Sequence, residues 1–116
     1  MSIVELSSIH QETKRGETKV LDLVLADLDP SISRHQVLID CLNERAVVGL
    51  KKYNTYLETF NNHDPLVDAF QEVLDSIMYL RQYHEETGNG RTLLRMAINM
   101  ALEIITELEK AYVPVK

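Results

Sequence analysis

The chain of 116 residues contains little proline, glycine or cysteine. Three prolines and four glycines leave few points at which an element must break, which favours long helices over many short strands. A single cysteine, Cys41, excludes an internal disulfide and is typical of a protein of the reducing cytoplasm. Its apolar neighbours, Ile39 and Leu42, predict a buried thiol with a structural role.

Long apolar runs and several familiar motifs are also missing. No run approaches membrane-spanning length, and the N-terminus lacks the apolar core of a signal peptide, so we expect a soluble cytoplasmic protein that binds no membrane. A net charge of −6 disfavours binding to nucleic acid. There is no glycine-rich phosphate loop, no Gly-x-Ser-x-Gly motif and no zinc-like spacing of the histidines.

The apolar periodicity predicts an all-α protein with three long helices and one shorter N-terminal helix. The segment Asp29-Pro30-Ser31 is expected to break the chain and cap the first long helix, and Asp64-Pro65 to open the second. Gly88 and Pro114 are expected to end the second and third. The predicted ranges are 18–29 for the short helix and 33–52, 65–87 and 91–112 for the long helices.

We expect two parts in the chain. Residues 1–30 form an N-terminal arm with the short helix, which packs on a neighbouring subunit, and residues 31–116 form a helical domain. Apolar residues surround most of the second and third long helices, and such helices must be covered on most sides. Because one small chain has few helices to cover them, we expect oligomerisation to complete the bundle.

Acidic side chains interrupt the apolar surface of the second long helix. Asp68, Glu72 and Asp75 follow the spacing i, i+4, i+7, which places them within an arc of roughly 60°. Carboxylates this close repel one another unless a cation lies among them. The first long helix carries a similar pair, Asp40 and Glu44, and four carboxylates on facing helices suit Mg²⁺ or Mn²⁺. The alternative is that both sets mark solvent-exposed faces.

Two lysines, Lys51 and Lys52, lie at the end of the first long helix. Cations at a helix C-terminus interact favourably with the helix dipole, and the same cations can hold phosphate oxygens beside a metal. Arg81, beyond the acids of the second long helix, is a further candidate for phosphate binding.

An ordered set of residues within the stretch 44–82 resembles a known family. The set consists of Arg45, Gly49, Lys52-Tyr53, Thr55, Leu57, Glu72-x-x-Asp75 and Tyr79-Leu80. In this order it resembles the all-α nucleoside triphosphate pyrophosphohydrolases of the MazG-like group, and above all their short phage and bacterial members. The resemblance covers about a third of the chain. It departs from the family in two places: Asp40 and Glu44 stand for a Glu-Glu-x-x-Glu run, and Asn54 stands for a glycine.

The resemblance implies a helical bundle that is a homodimer or homotetramer. It implies Mg²⁺-dependent hydrolysis of a ribo- or deoxyribonucleoside triphosphate to the monophosphate and pyrophosphate, in nucleotide pool control or house-cleaning. By position, Glu72 and Asp75 would be metal ligands, together with Glu44 and its helper Asp40.

The catalytic roles that follow from the resemblance fall on Glu44, Glu72 and Lys52. One carboxylate would accept a proton from the attacking water, and the lysine would stabilise the leaving pyrophosphate. Two alternatives stay open, a non-catalytic helical interaction module and a nucleotide-binding regulator with a degenerate site. The substrate-binding candidates are Lys51, Lys52, Tyr53, Asn54 and Arg81.

Overall fold

A computed structural model describes residues 1–113 of the chain. These residues contain five α-helices and no strand, which confirms the all-α prediction. Two of the five, α1 and α2, are short, and the sequence predicted only α2. The predicted end of the last helix at Pro114 lies outside the described residues. The helices are α1 (Ile3–Leu6), α2 (Val20–Ala26), α3 (Ser33–Tyr53), α4 (Pro65–Thr87) and α5 (Arg91–Tyr112).

The chain divides into two compact units, and the first consists of Met1–Gln11 and His63–Lys116. Its main feature is the packing of α4 against α5, and α1 packs against α5. Burial of apolar side chains is the main favourable term in folding, so this core stabilises the unit. The buried apolar residues are Leu6, Val67, Phe70, Ala101, Ile104 and Leu108.

Local signals set the ends of the two long helices in this unit. The Asp64 carboxylate accepts a hydrogen bond from the N–H of Leu66 at 2.9 Å, and Pro65 occupies the first turn of α4. Gly88 ends α4 with a φ of 73°, in the left-handed region. Gly90 has a φ of 80° and lies against the Tyr83 ring, where a Cβ would come within 2.8 Å of a ring carbon.

The second unit comprises Glu12–Asn62, in which α2 packs against α3. No side chain of α2 or α3 is fully buried. The chain before α2 pairs with the loop after α3: the N–H of Glu17 donates to the carbonyl of Thr59 at 2.9 Å, and the N–H of Val20 donates to the carbonyl of Leu57 at 2.9 Å. Backbone hydrogen bonds therefore hold the two segments of this unit together.

Gly16 lies at the closest approach of these two segments. A Cβ at this position would collide with the carbonyl oxygen of Thr59 and come within 2.8 Å of Glu58 Cβ. The N–H of Gly16 donates to the Glu58 carboxylate at 3.2 Å, and that carboxylate also pairs with Arg15 at 3.2 Å. The pairing therefore depends on a residue without a side chain.

Two details of the sequence analysis are wrong. Cys41 is exposed, and α3 as a whole has no buried residue. The N-cap of α3 is Ile32, with no side-chain hydrogen bond, and the Asp29 carboxylate instead accepts from the N–H of Ser31 at 2.9 Å. Within residues 1–113, no helix has the length and apolar character needed to cross a membrane.

Candidate functional site

The acidic pair of α3 lies on an exposed face of that helix. Asp40 and Glu44 are about one turn apart, and both are exposed. Asp40 Oδ1 accepts a hydrogen bond from Gln36 Nε2 at 3.0 Å. On the turn after Glu44, Val47 and Val48 are 39% and 42% exposed. The pair is therefore accessible to a ligand, and exposed apolar side chains lie beside it.

The end of α3 presents the predicted phosphate-binding residues. Lys51, Lys52 and Tyr53 are exposed, and Lys52 Nζ lies 5.2 Å from the centroid of the Tyr53 ring. Asn54 follows with a φ of 58°, and its N–H donates to the carbonyl of Leu50 at 2.8 Å. Glycine and asparagine adopt this left-handed conformation most readily. The geometry therefore explains how asparagine can occupy a position where the MazG-like pattern has glycine.

The second acidic pair, Glu72 and Asp75, lies on the exposed side of α4. Helical spacing places it opposite Phe70, which faces the core. Neither carboxylate has a hydrogen-bond partner among the residues that the structure describes. Tyr79 follows the pair one turn later on the same face and is 70% exposed. The outer face of α4 thus combines two unpaired acids with an exposed aromatic ring.

Arg81, the last predicted substrate-binding residue, forms an ion pair within its own helix. Arg81 Nη1 lies 2.8 Å from Glu85 Oε2, and both side chains are mostly exposed. Exposed pairs of this kind contribute little to stability. The guanidinium is therefore free to exchange this partner for a phosphate at a small energetic cost.

The predicted metal ligands form two pairs, one in each unit. Asp40 and Glu44 belong to the unit with α3, whereas Glu72 and Asp75 belong to the unit with α4. Within either unit, as far as residue 113, no group of three His, Cys, Asp or Glu side chains is placed to hold a metal ion. A site with ligands from both helices stays a prediction.

A polar network that the sequence did not predict surrounds the start of α4. The Gln11 side chain donates to Asp68 Oδ1 at 3.0 Å and accepts from the N–H of Asp64 at 2.6 Å. His63 Nδ1 lies 2.8 Å from Asp68 Oδ2. The Tyr112 hydroxyl donates to Asp64 Oδ2 at 2.5 Å. Asp68, the first acid of the predicted stripe, is therefore occupied by structural contacts.

The same network changes the acidity of one group. The hydrogen bond that Tyr112 donates to the Asp64 carboxylate raises the pKa of the Tyr112 hydroxyl, and desolvation and the charge of Asp64 act in the same direction. The Asp64-Pro65 motif was the only local signal for this cluster. Gln11 precedes Asp64 by 53 positions, so no short-range pattern could have identified it.

The chain was compared with models of protein families, with curated proteins and with solved structures. None of the three comparisons gives a match.

Proposed function

We propose that the chain is a Mg²⁺-dependent nucleoside triphosphate pyrophosphohydrolase of nucleotide pool control or house-cleaning. The observation that carries the proposal is the exposure of both acidic pairs, Asp40 with Glu44 and Glu72 with Asp75, at the positions implied by the MazG-like resemblance. The proposal requires the two pairs to meet, within one chain or across the copies of a homodimer or homotetramer.

The donor set fits the metal. Carboxylate oxygens are the preferred ligands of Mg²⁺ and also suit Mn²⁺. Glu72 and Asp75 have no partner among residues 1–113, and Asp40 has a single neutral partner, Gln36, which it can release. We expect Glu72, Asp75, Glu44 and Asp40 to hold the ion, which neutralises triphosphate charge when bound.

The reaction is hydrolysis at the α-phosphorus. A water oxygen forms a bond to that phosphorus, the bond to the α–β bridging oxygen breaks, and the products are the nucleoside monophosphate and pyrophosphate. Glu44 or Glu72 accepts the proton that the water loses. Lys52 and its neighbour Lys51 stabilise the charge that develops on the leaving pyrophosphate. Both lysines are exposed and have no acidic partner among the described residues.

The substrate also needs contacts beyond its phosphates. Tyr53 and Asn54 lie where α3 ends, next to the lysines, and we assign them to the sugar or base. Arg81 provides a third cation for the phosphates, from α4, because its ion pair with Glu85 is exposed and exchangeable. None of these residues is needed for the core, so each can be changed without unfolding the chain.

The test is the release of pyrophosphate from a panel of ribo- and deoxyribonucleoside triphosphates, with Mg²⁺ and with EDTA. We expect release that requires the metal and falls at least about a hundredfold in Glu72→Gln. Glu86→Gln is the matched control, because it neutralises another exposed acid of α4 about four turns further along. If wild type releases no pyrophosphate from any nucleotide, the proposed activity is wrong.

A second candidate, a helical interaction module, is favoured by the apolar side chains that remain exposed. They occur on all three long helices, and Met78, Met96 and Leu102 are 64%, 62% and 57% exposed. Contiguous exposed apolar surface marks interaction sites. On this alternative Mg²⁺ would change neither release nor the melting temperature. A melting shift with Mg²⁺ and nucleotide but no release would identify a nucleotide-binding regulator.

A further inference from the structure

One stripe of α5 carries opposite charges at its two ends, Arg91 and Glu109, on either side of an apolar middle. Its members alternate in spacing of four and three residues, which is the spacing of a coiled-coil seam. At about 100° per residue they fall within an arc of roughly 80°. We name this stripe the α5 seam, and it consists of Arg91, Arg95, Ile98, Leu102, Ile105 and Glu109.

The positions of the α5 seam are symmetric about residue 100. Ile98 and Leu102 lie two positions from it on either side, and Arg91 and Glu109 lie nine positions from it. The seam therefore begins with two cations, has an apolar middle and ends with one anion. It covers roughly 27 Å of the helix at the standard rise per residue.

Five of the six residues of the α5 seam are exposed, and Ile105 is partly buried and packs against the core of its own chain. Ile98 and Leu102 are 40% and 57% exposed, whereas the core-facing Leu108 of the same helix is fully buried. Arg91 and Glu109 are exposed and form no ion pair with any residue from 1 to 113. Both ends of the seam therefore keep charges that nothing in the described chain neutralises.

We propose that the α5 seam binds the α5 seam of a second copy of this chain, with the two helices antiparallel about a two-fold axis at the level of residue 100. Reversal of one helix brings Arg91 of each copy next to Glu109 of the other. The same reversal places Ile98 of one copy against Leu102 of the other. Such a contact is isologous, because each surface is its own complement.

Charge complementarity favours a second copy of the chain over other binding partners for the α5 seam. A uniformly acidic or basic partner would meet repulsion at one end of the seam, and a purely apolar helix would leave both charged ends unpaired. Arg95 would lie against Ile105 of the other copy, where its aliphatic stem can pack while the guanidinium stays in water. This inference rests on the oligomeric state in the proposed function and is independent of catalysis.

The test uses charge reversal and sedimentation velocity. In a pair of copies, Arg91→Glu or Glu109→Arg places like charges at positions 91 and 109 in contact at two places. We expect each variant to weaken association about tenfold or more and, at concentrations where it dissociates, to halve the mass of the wild-type assembly. A mixture of the two single variants should restore association, because every contact across the mixed pair again joins opposite charges. The double variant should restore it as well.

Three further variants serve as controls. Glu103→Arg reverses an exposed acid on α5 outside the seam, and Arg34→Glu reverses an exposed cation on α3. Met96→Gln removes an exposed apolar side chain from the other flank of α5. All three should leave the mass unchanged, and circular dichroism should show that every variant remains helical.

Two results would overturn the inference. A wild-type chain that sediments at its single-chain mass of 13.3 kDa at all concentrations contradicts it and the proposed oligomer together. An oligomer that resists both single reversals, or a mixture that fails to recover, contradicts the α5 seam alone. Pyrophosphate release, measured on the same samples, tests the enzymatic proposal separately.

Discussion

The unit of α4 and α5 buries six apolar side chains, whereas α2 and α3 in the other unit bury none completely. In the first unit, side chains from α1, α4 and α5 form one hydrophobic cluster around Leu108. In the second unit, the most regular contacts are backbone hydrogen bonds between residues 14–20 and 57–61. One region is therefore stabilised mainly by apolar burial, and the other depends strongly on the geometry of a paired arm and loop.

The difference also separates the buried core from the α3 part of the proposed site. Lys51, Lys52, Tyr53 and the α3 acids lie in the unit without a buried helix face, where a substitution disturbs little packing. Loops and weakly packed elements commonly carry ligand contacts on a more rigid support. The comparison thus predicts that core variants lower stability most, and that variants of the exposed α3 face lower activity while leaving the fold intact.

The largest expected loss of stability follows Leu108→Ala. Leu108 is fully buried, so its truncation should lower the free energy of unfolding by about 2–5 kcal/mol. Leu38→Ala on α3 is the matched control, because Leu38 is 46% exposed, and it should change stability by about 0.5 kcal/mol or less. Urea denaturation measures both. If the two substitutions lowered the free energy of unfolding equally, the proposed difference in apolar burial between the two units would be contradicted.

A smaller loss is expected for Gly16→Ala. The new methyl group would meet the carbonyl oxygen of Thr59, so the arm must move away from the loop at a cost of about 1–3 kcal/mol. Hydrogen exchange should show lost protection at the amides of Thr59 and Val20. Gly49→Ala is the control: no atom lies within 4 Å of the added Cβ, and the helix should gain about 0.5–1 kcal/mol. Unchanged protection in Gly16→Ala would show that the arm is not held by this pairing.

The smallest of the three effects concerns Tyr112 and pH. The folded chain favours the protonated hydroxyl, so the pKa of Tyr112 lies above its ordinary value of 10.0. The hydrogen bond from Tyr112 therefore contributes its full stabilisation below pH 10.0, the ordinary pKa of tyrosine. This stabilisation is lost as the pH rises past the raised pKa of Tyr112. Tyr112→Phe should cost about 1–2 kcal/mol at neutral pH and should reduce the fall in stability above pH 10. A wild type and variant with parallel stability curves through the alkaline range would contradict this assignment.

The sequence predicted the long helices because their limits depend on local chemistry. Asp64-Pro65 opens α4, and glycine at position 88 closes it, as expected. The N-cap of α3 was harder to predict, because Asp29 forms a local turn with Ser31 and Ile32 is the N-cap residue. A short polar side chain such as that of aspartate can thus accept a backbone hydrogen bond either in a turn or at a helix N-cap.

Contacts between distant segments could not be predicted in this way. Gln11 reaches Asp64 and Asp68, and the arm around Gly16 reaches Thr59, across more than 40 positions in each case. Nothing in the composition of residues 1–17 indicates these partners. The carboxylate spacings on α3 and α4 were correct as helical geometry, because the period of a helix fixes them. Their joint use as a metal site depends on how separate segments meet, which periodicity does not determine.

The proposed function requires that the acids of α3 and α4 together hold Mg²⁺ for pyrophosphate release. The most direct measurement is a Mg²⁺ titration of that release for wild type, Glu44→Gln and Glu72→Gln. We predict Mg²⁺-dependent release by wild type, and a loss of about a hundredfold or a large increase in the Mg²⁺ requirement in both variants. Absence of release by wild type, or full activity in either variant, would contradict it.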